Sequence, residues 1–154
     1  MKTVTEIKNH KKRYLDLLLL GDEQESMIDR YLERGTMYVL DDDGIKAACV
    51  VTDEGGGVLE IKNIAVYPQF QRQGCGRRLI CFVEQKYKES FHTLRAGTGD
   101  SPLTIPFYRK CGFRECYRIK NFFTDNYDHP IIENGRLLTD MVYLEKELKT
   151  KACR

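Results

Sequence analysis

The sequence of 154 residues has no apolar run long enough to cross a bilayer: the longest, Leu17 to Leu20, is far too short. Met1 to Glu6 is polar and has no signal-peptide h-region. There is no excess of charge either. A formal +2 with no Lys/Arg block, and no RNA- or DNA-binding motif, argues against nucleic acid or an anionic membrane as partner. The six cysteines, Cys49, Cys75, Cys81, Cys111, Cys116 and Cys153, form no C-x-x-C pair. His10, His92 and His129 are scattered, so no zinc set forms and no metal is expected. Several cysteines sit in apolar stretches, where a thiol behaves as a small hydrophobe. No repeat, low-complexity tract or Pro/Gly/Ser-rich linker divides the chain. The expectation is one reduced, cytoplasmic domain over 1–154.

What is present suits a folded α/β protein: 42% hydrophobic and 31% charged residues are enough to build a core. Val4 to Ile7 has weak strand character. Asp22 and Glu25 form a capping-box pattern that predicts a helix carrying Met27, Ile28, Tyr31 and Leu32, with Gly35 as a left-handed stop. Strands are predicted over 37–40 and 46–51 around the turn Asp41-Asp42-Asp43-Gly44, and again over 58–66. A helix opens at Gly74, with Leu79, Ile80, Val83 and Tyr87 on one face. A short strand over 92–96 follows, then a brief helix from Thr104 through Cys111, closed by Gly112, with Pro106 in its first turn. Strand-like runs lie at 118–123 and 141–144. This order indicates a mixed sheet with helices on its faces.

The most informative segment is Gln71-Arg72-Gln73-Gly74-Cys75-Gly76-Arg77-Arg78, which follows a strand and opens a helix. A helix's first turn offers unpaired amides and a positive dipole end, both suited to phosphate oxygens. The arginines add charge. No Gly-Lys-Ser/Thr follows, and the third glycine of the dinucleotide fingerprint is missing. A solvated basic turn stays open as the alternative.

Three motifs in order resemble the GNAT acetyltransferase superfamily. Glu60-Ile61-Lys62-Asn63-Ile64-Ala65-Val66-Tyr67-Pro68 resembles its fourth strand, Gln71 to Gly76 its Q/R-x-x-G-x-G/A signature, and Phe107-Tyr108-Arg109-Lys110-Cys111-Gly112-Phe113 its F/L-Y-x-x-x-G-F signature. The resemblance implies an α/β (α+β) fold: a mostly antiparallel sheet of about six or seven strands flanked by helices. Asn121-Phe122-Phe123, His129-Pro130 and Glu133-Asn134-Gly135 resemble a small bacterial subgroup. Some of its members are called indole-acetate acetyltransferases, although indole-acetate offers no amine.

The resemblance further implies acetyl-CoA as cosubstrate, with direct attack by an amine. Ile64, Ala65 and Val66 would pair with the pantetheine arm as a strand pairs with its neighbour. Gln71, Arg72, Gln73, Gly74, Cys75, Gly76 and Arg77 would cradle the pyrophosphate, and the Val66 amide would hold the developing oxyanion. Tyr108 would protonate or hydrogen-bond the departing thiolate, with a core aromatic as the alternative. Glu60 would serve as base through a water, with a solvent-facing strand glutamate as the alternative. Where many members have a pantetheine-binding asparagine, this chain has Gly97 to Pro102, which leaves Asp100 or Ser101 as substitutes.

From Asn121 to Glu145, five acids (Asp125, Asp128, Glu133, Asp140, Glu145) face one base, Arg136. Such a wall would favour a cationic small-molecule or peptide amine, with Tyr127 and His129 as acceptor contacts; a solvated acidic surface is the alternative. By family analogy a homodimer is compatible. Two rivals stay open: an acetyl-CoA-binding module without turnover, and a protein binding another phosphate ligand.

Overall fold

The computed structural model describes residues 2–148. In chain order the elements are β1 (Thr3–Ile7), α1 (Leu15–Gly21), α2 (Glu25–Ile28), β2 (Thr36–Asp41), β3 (Ile45–Asp53), β4 (Val58–Val66), α3 (Cys75–Tyr87), β5 (Thr93–Gly99), α4 (Ile105–Lys110), β6 (Arg114–Ile119), α5 (Phe122–Asn126), β7 (Ile132–Glu133), β8 (Arg136–Leu137) and β9 (Met141–Glu147). Seven strands form one sheet in the order β1-β2-β3-β4-β5-β9-β6, while β7 and β8 make a separate hairpin. Within the large sheet only β4 and β5 run parallel. Parallel neighbours need a crossover, and α3 supplies it.

The β2-β3 half of the sheet is buried on both faces, which is why Ala47 to Val51 reads as an unbroken apolar run. Tyr38, Leu40, Cys49 and Val51 pack with Leu79, Ile80 and Val83 of α3. Their neighbours Met37, Val39, Ala48 and Val50 pack with Leu17 and Leu18 of α1 and with Ile28, Tyr31 and Leu32. One irregularity interrupts this alternation. Val50 faces Asn63 and Val51 faces Ile61, so Lys62 has no partner on β3 and forms a bulge. Before the bulge Leu59 and Ile61 face the α3 side; after it Ile64 and Val66 do. Asn63 turns to the other face, where its amide donates to Leu18 O at 2.9 Å.

The sequence expectations hold best where turn chemistry is local. The hairpin turn forms as expected, with Gly44 at φ 117° and its amide bonded to Asp41 Oδ1 at 3.0 Å. The 58–66 strand matches β4 in full. Three expectations are corrected. The capping-box helix is only one turn, Glu25–Ile28, with no side-chain cap; turns carry the chain on to Gly35. Asp22 is drawn instead into bonds with Tyr31 and Tyr127. Gly35 is not left-handed. It is needed for space, since a Cβ there would lie 2.7 Å from Val50 Cγ1 and 2.8 Å from Tyr31 O. The strand expected over 118–123 ends at Ile119: Asn121 takes φ 58°, its amide bonds to Asp140 Oδ1, and α5 begins.

Cys49, Cys75, Cys111 and Cys116 are free thiols. Cys81 is disulfide-bonded, which departs from the all-reduced expectation; Cys153 lies outside the described residues. Among the described residues no helix is long and apolar enough to cross a membrane.

Candidate active site

Strands β4 and β5 pair only from Val58 to Ile61 against Thr93 to Ala96, yet β4 continues to Val66 and β5 to Gly99. Beyond the bulge the two strands part, leaving a wedge in the sheet. The β3 ladder fixes what faces it. Tyr67 N–H donates to Lys46 O at 3.0 Å, and the register pairs Ala47 with Val66 and Ala48 with Ala65. Bonded and non-bonded pairs alternate in an antiparallel ladder. The main-chain groups of Ala65 therefore point to β3, whereas those of Ile64 and Val66 point into the wedge. Val66 O takes a bond from Gln71 Nε2 at 3.1 Å, which anchors the following loop to the strand end. Of the three expected pantetheine residues, Ile64 and Val66 offer polar groups to a ligand; Ala65 does not.

The loop curls because two residues adopt left-handed backbone: Arg72 at φ 63° and Gly74 at φ 84°. Gly74 is the α3 N-cap and brings no side chain to the helix mouth. The first intrahelical bond there is Arg78 N to Gly74 O, at 2.9 Å. The Cys75 and Gly76 amides precede it, and α-helical geometry leaves such amides to partners outside the helix. Gly76 answers a different need. A Cβ there would lie 3.1 Å from Phe107 Cζ, so glycine lets α3 settle against α4. Arg77 Nη1 reaches Lys110 O at 3.2 Å, binding the two helices together. Arg72, Gln73 and Arg78 are exposed around the mouth.

Helix α4 explains the third motif in physical terms. Pro106 stands in its first turn, and Gly112 at φ 94° ends it. Phe113 N bonds to Tyr108 O and Gly112 N to Arg109 O, each at 3.0 Å, the two bonds of a Schellman stop. The apolar contact that accompanies this stop is Tyr108 against Phe113, with ring centroids 5.4 Å apart. The tyrosine is thus clamped by the same turn that the glycine and phenylalanine build. It is buried, burial pushes its phenol up from the usual tyrosine range, and its hydroxyl has no hydrogen-bond partner among the described residues.

Glu60 lies on the opposite face of β4 from Leu59 and Ile61, which pack in the same cluster as Tyr108. The two candidate catalytic side chains therefore approach the sheet from opposite sides. Glu60 is not the solvent-facing strand glutamate of the alternative reading: it is 4% exposed. Lys62 Nζ lies 3.0 Å from its Oε2, and Arg95 Nη1 lies 3.7 Å from its Oε1. Burial raises its carboxyl above the usual range, and Lys62 and Arg95 oppose that shift. Sequence reasoning missed Arg95. The only signal for it is the cross-strand register, which a single sequence does not display.

The other expected site residues are held by protein partners. Asp100 pairs with Arg118 at 3.0 Å. Ser101 is buried; its hydroxyl donates to Glu133 Oε1 at 2.9 Å and accepts from Leu103 N at 3.1 Å. Tyr127 donates to Asp22 Oδ1 at 2.5 Å, and Tyr31 donates to the other oxygen of the same carboxylate at 2.9 Å. Asn63 in turn donates to Tyr31 Oη at 3.1 Å. These bonds fasten α5 to the connection between α1 and α2. His129 is exposed, 2.6 Å from Asp128 Oδ1, and that contact raises its pKa above the usual range. Two acids of the late segment are matched by arginines from outside it, with Asp140 near Arg118 and Glu145 bonded to Arg95.

Comparison with known proteins bears on the family and the fold. The family model for an acetyltransferase (GNAT) domain matches residues 33–115. A Bacillus subtilis protein named "uncharacterized N-acetyltransferase YvbK" is 38% identical over 136 residues, covering 86% of this chain and 88% of its own. The crystal structure of a GNAT family acetyltransferase from Elizabethkingia anophelis with acetyl-CoA bound superposes with a TM-score of 0.90 at 39% identity, covering 96% of this chain and 98% of that one. An IAA acetyltransferase from Bacillus cereus superposes at 0.88 with 34% identity, over 96% of this chain and 100% of its own. On this likeness in sequence and fold, the chain belongs to the GNAT family of acetyl-CoA-dependent N-acetyltransferases.

Proposed function

We propose that this protein moves an acetyl group from acetyl-CoA to a primary amine of a small molecule or peptide, by direct attack of the amine on the thioester carbonyl. The observation that carries this reading is the wedge between β4 and β5. It puts main-chain groups of Ile64 and Val66 beside a helix mouth, with a phenol that has no hydrogen-bond partner among the described residues on one side of the sheet and a buried carboxylate on the other.

In this reading the α3 mouth and the exposed arginines hold the diphosphate, and Ile64 and Val66 hold the pantetheine arm as a neighbouring strand would. The Val66 amide donates to the carbonyl oxygen as it takes up charge. An alkyl ammonium has a pKa of ~10.4 and attacks only as the neutral amine. Glu60 takes its proton through a water. The C–N bond forms, the C–S bond breaks, and Tyr108 donates to the sulfur; a thiol pKa of ~8.5 makes a hydrogen bond sufficient for much of that stabilisation.

A route through an acetylated cysteine has no support. Cys75 and Cys111 are both buried, and burial raises the Cys111 thiol above its usual range, which leaves little thiolate to attack. Stopped-flow thiol detection separates the routes. Release of CoA is expected only when an amine is present, without a stoichiometric burst in its absence. A burst equal to the enzyme concentration before any amine is added contradicts direct attack, and silence across a broad amine panel favours a binding module.

A further inference from the structure

The residues around Glu60 form a row of alternating charge across three strands. Register places Glu60 of β4 opposite Arg95 of β5, and Arg95 opposite Glu145 of β9. Directly opposed residues share a face of the sheet, so acid, base and acid stand in one row. Arg114 of β6 lies opposite Glu145 and continues the alternation. Arg95 is the middle member: Nε donates to Glu145 Oε2 at 3.0 Å, while Nη1 lies 3.7 Å from Glu60 Oε1.

We propose that Arg95 is a positioning residue for the base, bridging Glu60 to Glu145 and setting the pH at which Glu60 becomes competent. This rests on the reading of Glu60 as base. Three features support it. The two oxygens of Glu60 meet cations from different strands, Lys62 on one and Arg95 on the other, which fixes the plane of the carboxylate. The Arg95 guanidinium lies 5.7 Å from the Tyr117 ring and 5.9 Å from the Tyr143 ring, whose centroids stack 4.8 Å apart. Those rings cover part of the guanidinium, whose side chain stays 22% exposed. Finally, Glu145 holds the guanidinium through its Nε, so the cation facing Glu60 is shared rather than dedicated.

The sign follows from the groups that face Glu60. Lys62 and Arg95 favour its charged form; Glu54 and burial disfavour it. Tyr117, Tyr143 and Glu145 complete the surroundings from β6 and β9. Removing an opposite charge at this range raises a carboxylate pKa by about one unit or more. Removing Glu145 frees Arg95 for Glu60 and acts in the opposite direction.

The test is the pH dependence of kcat/KM with one amine throughout, so that the acceptor's own titration is common to every variant. In Arg95→Gln the acid limb is expected to move up by about one pH unit, a roughly tenfold loss on the limb that recovers on the alkaline plateau. Arg95→Lys should leave the limb near its original place. Glu145→Gln, which keeps Arg95 in the fold, should move it down. A uniform loss at every pH in Arg95→Gln, or an upward shift in Glu145→Gln, overturns the proposal. The two readings fail differently. A limb that survives Glu60→Gln overturns the base reading and the bridge with it; a limb abolished by Glu60→Gln but unmoved by Arg95→Gln overturns the bridge alone.

Discussion

Replacing Tyr108 with phenylalanine is expected to lower kcat by about 10²-fold while acetyl-CoA binds as tightly as before. The substitution removes one oxygen and keeps the ring. The edge contacts with Phe107 at 5.2 Å and with Phe113 at 5.4 Å survive, as does the Schellman stop, which uses only main-chain bonds. No protein hydrogen bond is lost, because the phenol makes none among the described residues. Its effect should therefore fall on the reaction and not on the fold. Burial keeps the phenol protonated across the working range, which is the state required of a donor to a departing thiolate. Calorimetric titration with acetyl-CoA, beside steady-state thiol release, checks both halves. Collapse of binding with unchanged turnover per bound enzyme contradicts the assignment.

The second large effect belongs to Glu60→Gln, with an expected loss of 10²-fold or more near neutral pH and partial recovery as pH rises. The sign comes from two titrations. The wild-type base works only as carboxylate, so its rate falls as pH drops through the Glu60 pKa, which burial places above the usual glutamate range. The glutamine variant lacks this limb and depends on solvent to deprotonate the amine. That becomes easier toward ~10.4. Full pH profiles with a single amine make the comparison, and superimposable profiles contradict the role.

The contrast between what was legible in the sequence and what was not has a physical pattern. Gly74, Gly112, Pro106 and the Asp41–Gly44 turn act within a few residues of themselves, so β4, the α3 start, α4 and the hairpin could be read directly. Asp22 misled because a capping pattern is also a carboxylate, and here two tyrosine hydroxyls claim it, Tyr31 from nearby and Tyr127 from a distant segment. Helix α1 carries the apolar run at 17–20 but no side-chain cap to announce it; its stability comes from packing Leu17 and Leu18 against the sheet. At 118–123, a bond from Asn121 N to Asp140 decides where the strand stops. The candidate site divides the same way. Tyr108 and the loop at 71–76 belong to contiguous motifs, whereas the Lys62 bulge, the parted strands and the Glu60–Arg95–Glu145 row are properties of strand pairing. Residues 60, 95 and 145 carry no pattern in one dimension.

The main-chain grip on the cosubstrate can be watched directly in amide spectra of the ¹⁵N-labelled protein during titration with acetyl-CoA. The amides of Ile64 and Val66, and of Cys75 and Gly76 at the α3 mouth, are expected to shift and to gain protection from hydrogen exchange. Saturable binding that leaves all four unmoved would place the donor elsewhere and contradict the wedge as its seat.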